Sequence, residues 1–162
     1  YHIHERYYNH HDTLRQFPYG SLHVYLQGPM IEKAIKRNLK LNAIKCDANI
    51  NSNYIFSIEP QVFYNPSMTT LHGEFKVKIF TSQNMNQATQ LIKVQHQARI
   101  NQKANFYINK IYDELIIKLS KKILDNLPKN NQNINGDFCT MIETSKSKEN
   151  KKKKDYKRPI QA

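Results

Sequence analysis

The sequence predicts an α+β fold: a two-layer sandwich in which a four-stranded, mainly antiparallel sheet carries two helices on one face, in the order βαβββα. Three observations predict it. Between Tyr54 and Ile100, apolar side chains recur at every second position on both sides of Asn65-Pro66-Ser67, the period of a sheet with one buried face. The stretches from Met30 to about Leu41 and from Lys103 to Leu127 instead place apolar residues three and four apart, as helices covering that face would. The chain is 162 residues long with 39% hydrophobic residues, which is material for a single core.

Residues 1–20 hold His2, His4, His10 and His11 among aromatic residues, with neither helical nor strand period, and read as an extended, loosely packed arm. Imidazoles two apart on an extended chain share a face and can converge on a metal ion, but only the scattered Glu5 and Asp12 are at hand to complete a site, so no metal is predicted. Ser21 to Gln27 alternates Leu22, Val24 and Leu26 against His23 and Tyr25, a half-buried strand that Gly28-Pro29 ends. In the helix that follows, Ile31, Ala34, Ile35 and Leu39 form the apolar stripe, and Lys33, Lys36, Arg37 and Lys40 form the opposite face. That face is either a phosphate-binding surface or a solvated cationic helix side.

In the first strand of the meander, Tyr54, Phe56, Ile58 and Val62 share one face and Ile55, Ser57, Glu59 and Gln61 the other. Pro60 lacks a ladder donor, which predicts a bulge or an open side near it. After the turn, Leu71, Gly73, Phe75, Val77 and Ile79 face inward. In the third strand Ile92, Val94, Ala98 and Ile100 do so, with His96 in the same row as a hydrogen-bonded histidine at the sheet margin. Lys76, Lys78, Lys93 and Arg99 point outward and make the other sheet face cationic, together with Glu59 and Glu74. In the last helix Ile108, Ile111, Tyr112, Leu115, Leu119 and Ile123 form a stripe widened by Ile116 and Ile117, and Pro128 stops it. The organisation is therefore an arm over 1–20, an α+β domain over 21–127, and an Asn/Lys-rich tail over 128–162.

The tail carries Lys151, Lys152, Lys153, Lys154, Lys157 and Arg158, a block that repels itself and is expected to be disordered in isolation. It reads as a solubilising tail or as an electrostatic anchor. The net charge of +12 makes a polyanionic partner reasonable: nucleic acid, an anionic membrane or an anionic envelope polymer. Charge does not choose among them. No apolar run approaches the roughly 18 residues of a membrane span. Cys46 and Cys139 fit no metal-ligand spacing and are either two unrelated buried thiols or, in an oxidising compartment, a pair closing a loop of on the order of 90 residues. There is no nucleophile elbow, P-loop, HExxH or glycine-rich phosphate loop, and the chain has only 4 Gly, so neither catalysis nor a cofactor is predicted.

The strand S-L-H-V-Y-L with its helix, the segment N-Y-I-F-S-I-E-P, the meander and the helix ending L-S-K-K-I-L-D-N-L together resemble small periplasmic domains of bacterial envelope lipoproteins, over about Tyr19 to Leu127. Similar arrangements occur in the lipopolysaccharide-assembly lipoprotein of the outer membrane, the lipoprotein activators of cell-wall synthases and the amino-terminal domain of the Tol translocation protein. The resemblance implies a non-catalytic accessory or assembly protein of the periplasm, lipid-anchored to the outer membrane through a cysteine ahead of Tyr1, whose partner is another envelope protein or an anionic glycan or lipid. Without its first strand the chain is also similar to a double-stranded RNA-binding domain, which implies a cytoplasmic RNA-binding or ribonucleoprotein component. Those domains begin their last helix with Lys-Lys-x-x-Lys, where this chain reads N-Q-K-A-N-F-Y-I-N-K with only Lys103 and Lys110.

Overall fold

The computed structural model describes residues 1–16, 21–39, 43–46, 51–81, 88, 90–100, 104–126, 134–135 and 139. In chain order the elements are β1 (His2–Ile3), α1 (Glu5–Tyr8), β2 (His11–Gln16), β3 (Ser21–Leu26), α2 (Gln27–Asn38), β4 (Asn51–Ser52), β5 (Ile55–Asn65), β6 (Thr70–Phe80), β7 (Gln90–Arg99), α3 (Ala104–Asn126) and β8 (Ile134–Asn135). The fold is α+β, as expected. A four-stranded sheet in the order β1-β5-β6-β7 carries the helices on one face, with β5, β6 and β7 antiparallel and β1 added parallel to β5.

The meander has the predicted faces. Val62 lies opposite Gly73, Ile58 opposite Val77, and Phe75 opposite Val94, so one apolar row runs across three strands. Against it α3 lays Ile108, Ile111, Tyr112, Leu115, Ile116, Leu119 and Ile123, all buried, and α2 adds Ile31, Ala34 and Ile35 to the same core. Burying such a row removes roughly 1.5–3 kcal/mol worth of apolar contact with water per large side chain. In the turn, the Ser67 N–H donates to Asn65 Oδ1 at 3.1 Å and Thr69 takes a φ of 50°, so the Asx turn fixes the register at Asn65 opposite Thr70. Pro60 makes no bulge. β1 pairs only with Ser57 and Ile58, so Pro60 sits where β5 has no further ladder partner on that side, and a missing N–H is tolerated.

Three expectations about the amino-terminal third are corrected. The fourth strand of the sheet is His2–Ile3 rather than Ser21–Leu26, which pairs with β2 in a separate two-stranded ribbon. The segment read as a loosely packed arm forms β1, α1 and β2, and buries His2 and His4: His2 Nδ1 is hydrogen-bonded to Ser57 Oγ at 3.2 Å, and His4 Nδ1 accepts from the Arg6 N–H to cap α1. Finally, β3 presents the opposite face from the one predicted. Tyr25 is buried edge-on to Tyr112, with ring centroids 6.3 Å apart, while Val24 and Leu26 are exposed. In a strand, a change of face inverts every side chain, and here the aromatic ring wins the core because it has more apolar area to remove from water.

Helix α2 starts at Gln27, earlier than expected, with Pro29 inside its first turn and the Tyr8 ring covering Gly28 so closely that a Cβ would have no room. Arg37 donates through Nε and Nη2 to Asp113 Oδ1 at 3.0 and 2.8 Å, and Asn38 Nδ2 donates to the same oxygen at 2.6 Å, tying α2 to α3. Among the described residues no helix is long and apolar enough to cross a membrane.

Candidate functional site

The helices cover one side of the sheet, so any partner of the sheet meets the other. That outer face has two unlike ends. Near the start of β5 it is closed: Ile55 and Phe80 are buried with Cys139, which is disulfide-bonded to Cys46, and Ala88 packs against them. Toward the β5–β6 turn it is open.

Between the two ends lies the row of charges. Alternation on neighbouring strands brings unlike side chains together, and the charge of the predicted cationic face is offset in part as a result, two carboxylates standing among its four cations. Lys78 Nζ lies 3.5 Å from Glu59 Oε1, and Lys76 and Lys93 lie 3.8 and 3.4 Å from the two oxygens of Glu74. Gln95 Nε2 donates to Glu74 Oε2 at 2.6 Å. That hydrogen bond, with the ammonium groups of Lys93 and Lys76, holds the Glu74 carboxyl below the usual carboxylate range, although partial burial pushes it the other way. Each exposed pair contributes little to stability, and together the pairs weaken the field that a polyanion would follow.

The remaining predicted residues scatter. Lys33 and Lys36 are exposed on α2, and Arg37 is committed to Asp113. Arg99 is exposed at the open end of the outer face, opposite Thr70 and two residues beyond Gln97 on the same strand. Lys40 and the tail residues Lys151, Lys152, Lys153, Lys154, Lys157 and Arg158 lie outside the described residues. Glu59 and Glu74 are each held by lysine. Among the described residues no cluster of His, Cys, Asp and Glu is arranged to hold a metal: His2 and His4 are turned into the fold, while His10 and His11 stack on the surface.

At the open end lies a depression of about 520 Å³ that the sequence reading missed. Phe63 and His72, directly opposite in the β5–β6 register, stack with centroids 5.1 Å apart and planes 15° from parallel. Around them stand Gln61, Glu74, Gln95 and Gln97. An outward phenylalanine in a strand whose other face is already apolar was the available signal. It became specific only with the register, which puts His72 between Phe63 and Gln97.

The rim on the β7 side is built by α3. Lys118 Nζ donates to Gln95 O at 2.7 Å and to His96 Nδ1 at 3.0 Å, and Lys122 Nζ donates to Lys93 O at 2.6 Å. These contacts satisfy carbonyls on a sheet edge and set cations along it, which discourages another strand from adding there. Burial, then the Lys118 charge, lowers the His96 pKa, Glu114 opposes the shift, and Lys110 adds to it. A histidine whose folded pKa is depressed contributes full stability above its unfolded value of about 6.5 and loses it as pH falls through the lower folded value. Protonation also removes the lone pair that accepts from Lys118. The melting temperature is therefore expected to drop between pH 7 and pH 5 by more in the unaltered protein than in His96→Gln; parallel curves for the two proteins would refute this role.

The fold and site define a class: a two-layer α+β domain with one sheet face covered by helices and the other presenting a surface of mixed charge and a depression lined in part by an aromatic pair. No protein-family model matches the chain, and no curated protein matches its sequence. Among solved structures, the crystal structure of protein XCC0632 from Xanthomonas campestris, of the DUF330 family, is similar, with a TM-score of 0.48 and 14% identity over 76% of this chain and 77% of that one. At that score and identity the likeness says nothing about function.

Proposed function

We propose that this chain is a non-catalytic accessory or assembly protein of the bacterial envelope, working in the periplasm by binding. The observation that carries this reading is the Cys46–Cys139 disulfide. Such bonds persist in secreted and periplasmic proteins, whereas cytosolic thiols are kept reduced. The mode of action is supported by the outer sheet face. Its carboxylates Glu59 and Glu74 are held by lysines and Gln95, the Ser57 hydroxyl beside His2 is fully buried and unable to reach a substrate, and what remains open is a recognition surface. Because Glu59 and Glu74 hold three of its lysines in ion pairs and Phe63 stays exposed among glutamines, that surface suits an envelope protein or glycan better than a polyanion.

The test is made on the native gene product. Cells are treated with a membrane-permeant alkylating reagent before lysis and then fractionated. The expected result is recovery in the envelope fraction with Cys46 and Cys139 resistant to alkylation until reduced. Recovery in the cytosol with both thiols alkylated would overturn the proposal.

A further inference from the structure

We infer that the depression at the open end of the outer sheet face is a binding site for a neutral pyranose oligosaccharide. Phe63 lines the depression, is 45% exposed, and is stacked on the nearly parallel ring of His72, which restricts it. A flat aromatic surface kept in contact with water on a folded domain offers one kind of contact: stacking against a ligand with a flat apolar face. A pyranose has such a face in its axial C–H bonds.

The walls decide between that ligand and a nucleobase or an apolar peptide. Gln61, Gln95 and Gln97 each present a carbonyl acceptor and an amide donor, and Glu74 adds acceptors. Sugar hydroxyls also both donate and accept, so amides match them at any orientation around the ring. An apolar side chain would leave these groups unpaired, at the cost of their desolvation. A nucleic acid would bring phosphates toward the Glu74 carboxylate, which Gln95, Lys76 and Lys93 already hold. Glu74 and Lys118 are the charged lining residues and Lys76 and Lys93 stand beside Glu74, so the surroundings carry a small positive excess rather than a dense row of cations. The amides therefore set the preference for a neutral ligand.

Two further features favour recognition. Gln95 and Glu74 hold each other at 2.6 Å, and Lys118 is anchored on Gln95 O and His96, so the wall groups need little ordering on binding. The volume of about 520 Å³ lies in the range of small-ligand sites and takes a short oligosaccharide rather than a single sugar. The inference deepens the envelope reading, which supplies the source of such a ligand, but it is tested separately in solution.

The experiment titrates the oxidised protein with maltotriose and with the trimer of N-acetylglucosamine, followed by amide chemical shifts and calorimetry. A heparin-derived oligosaccharide and a short RNA duplex serve as anionic probes. At least one neutral trisaccharide is expected to shift the amides of Phe63, His72 and Gln97, with an affinity insensitive to salt. Phe63→Ala and Gln97→Ala, both on the surface, are expected to keep the melting temperature while weakening binding, Phe63→Ala by roughly tenfold or more. Silence of both neutral probes, binding unchanged in Phe63→Ala, or shifts in the depression produced by the anionic probes alone would each overturn the inference. None of these outcomes bears on the fractionation result, so the two readings fail independently.

Discussion

Gly73→Val is expected to destabilise the protein by about 3 kcal/mol, with unfolding moved to clearly lower denaturant and the slope of the transition unchanged. Gly73 sits in the inward row of β6, opposite Val62 on β5 and His96 on β7. A Cβ built there would come within 2.6 Å of Leu115 Cδ1 and within 3.1 and 3.2 Å of Ile111 Cδ1 and Cγ1. Leu115 and Ile111 are fully buried, so neither can swing out to solvent to make room. Valine places two further methyl groups in that space, and α3 has to lift from the sheet along its middle, loosening the contacts of Phe75 and Tyr112 as well. Alanine is expected to cost less, because removing glycine from a strand regains part of the loss through the unfolded chain. The double variant Gly73→Val with Leu115→Ala separates the mechanisms. If the clash is the cause, the two changes cost less together than the sum of each alone. Strict additivity would show that the glycine is needed for some other reason.

That glycine marks how far the sequence could be read. Its inward position followed from alternation, because strands of 11, 11 and 10 residues give a period of two enough repeats to be unmistakable. The stripe of α3 was legible for the same reason. The contact that makes Gly73 indispensable was not, because it depends on which turn of α3 crosses β6, a tertiary fact. The amino-terminal third was misread where elements are too short to carry a period. His2–Ile3 has two residues, and its place in the sheet comes from pairing with Ser57 and Ile58 rather than from its own composition. β3 alternates clearly, yet alternation gives two faces without saying which is buried, and Val24 and Leu26 lost to a single tyrosine lying against Tyr112.

The charged face was read from residue types, without the pairings between them. Lys76, Lys78, Lys93 and Arg99 share one side of the sheet, and Glu59 and Glu74 offset part of their charge. Register sets Glu59 opposite Lys76 and Glu74 beside Lys93, so what matters is which charges meet. The same register joins Phe63 to His72, and through it a scattered set of polar residues becomes a walled depression. The candidate site thus lay in pairings that are exact only once the length of the Pro66–Thr69 turn is known.

Removing the disulfide by Cys46→Ala with Cys139→Ala is expected to be the other large loss, up to about 4 kcal/mol on the chain-entropy model. The bond closes a separation of 93 residues, and a link across so long a loop withdraws much of the freedom of the unfolded chain. In the folded state it holds Cys139 at the closed end of the outer face, buried with Ile55 and Phe80. Within the same loop, β4 pairs with β8 through Asn51–Asn135 and Ser52–Ile134. Two residue pairs have little independent stability, so this ladder depends on the nearby bond. Reduction is therefore expected to act in two stages: amide protection at Ile134 and Asn135 falls first, while β5, β6, β7 and α3 stay protected until global unfolding, which comes at a lower temperature than before. Alanine is the better replacement, because serine would set a hydroxyl among Ile55 and Phe80 and confuse a lost link with a buried polar group. Hydrogen exchange on the oxidised, reduced and double-alanine proteins reads both stages. Identical protection at Ile134 and Asn135 in all three, with the same melting temperature, would show that the loop is held by its other contacts and that the bond contributes nothing to the fold.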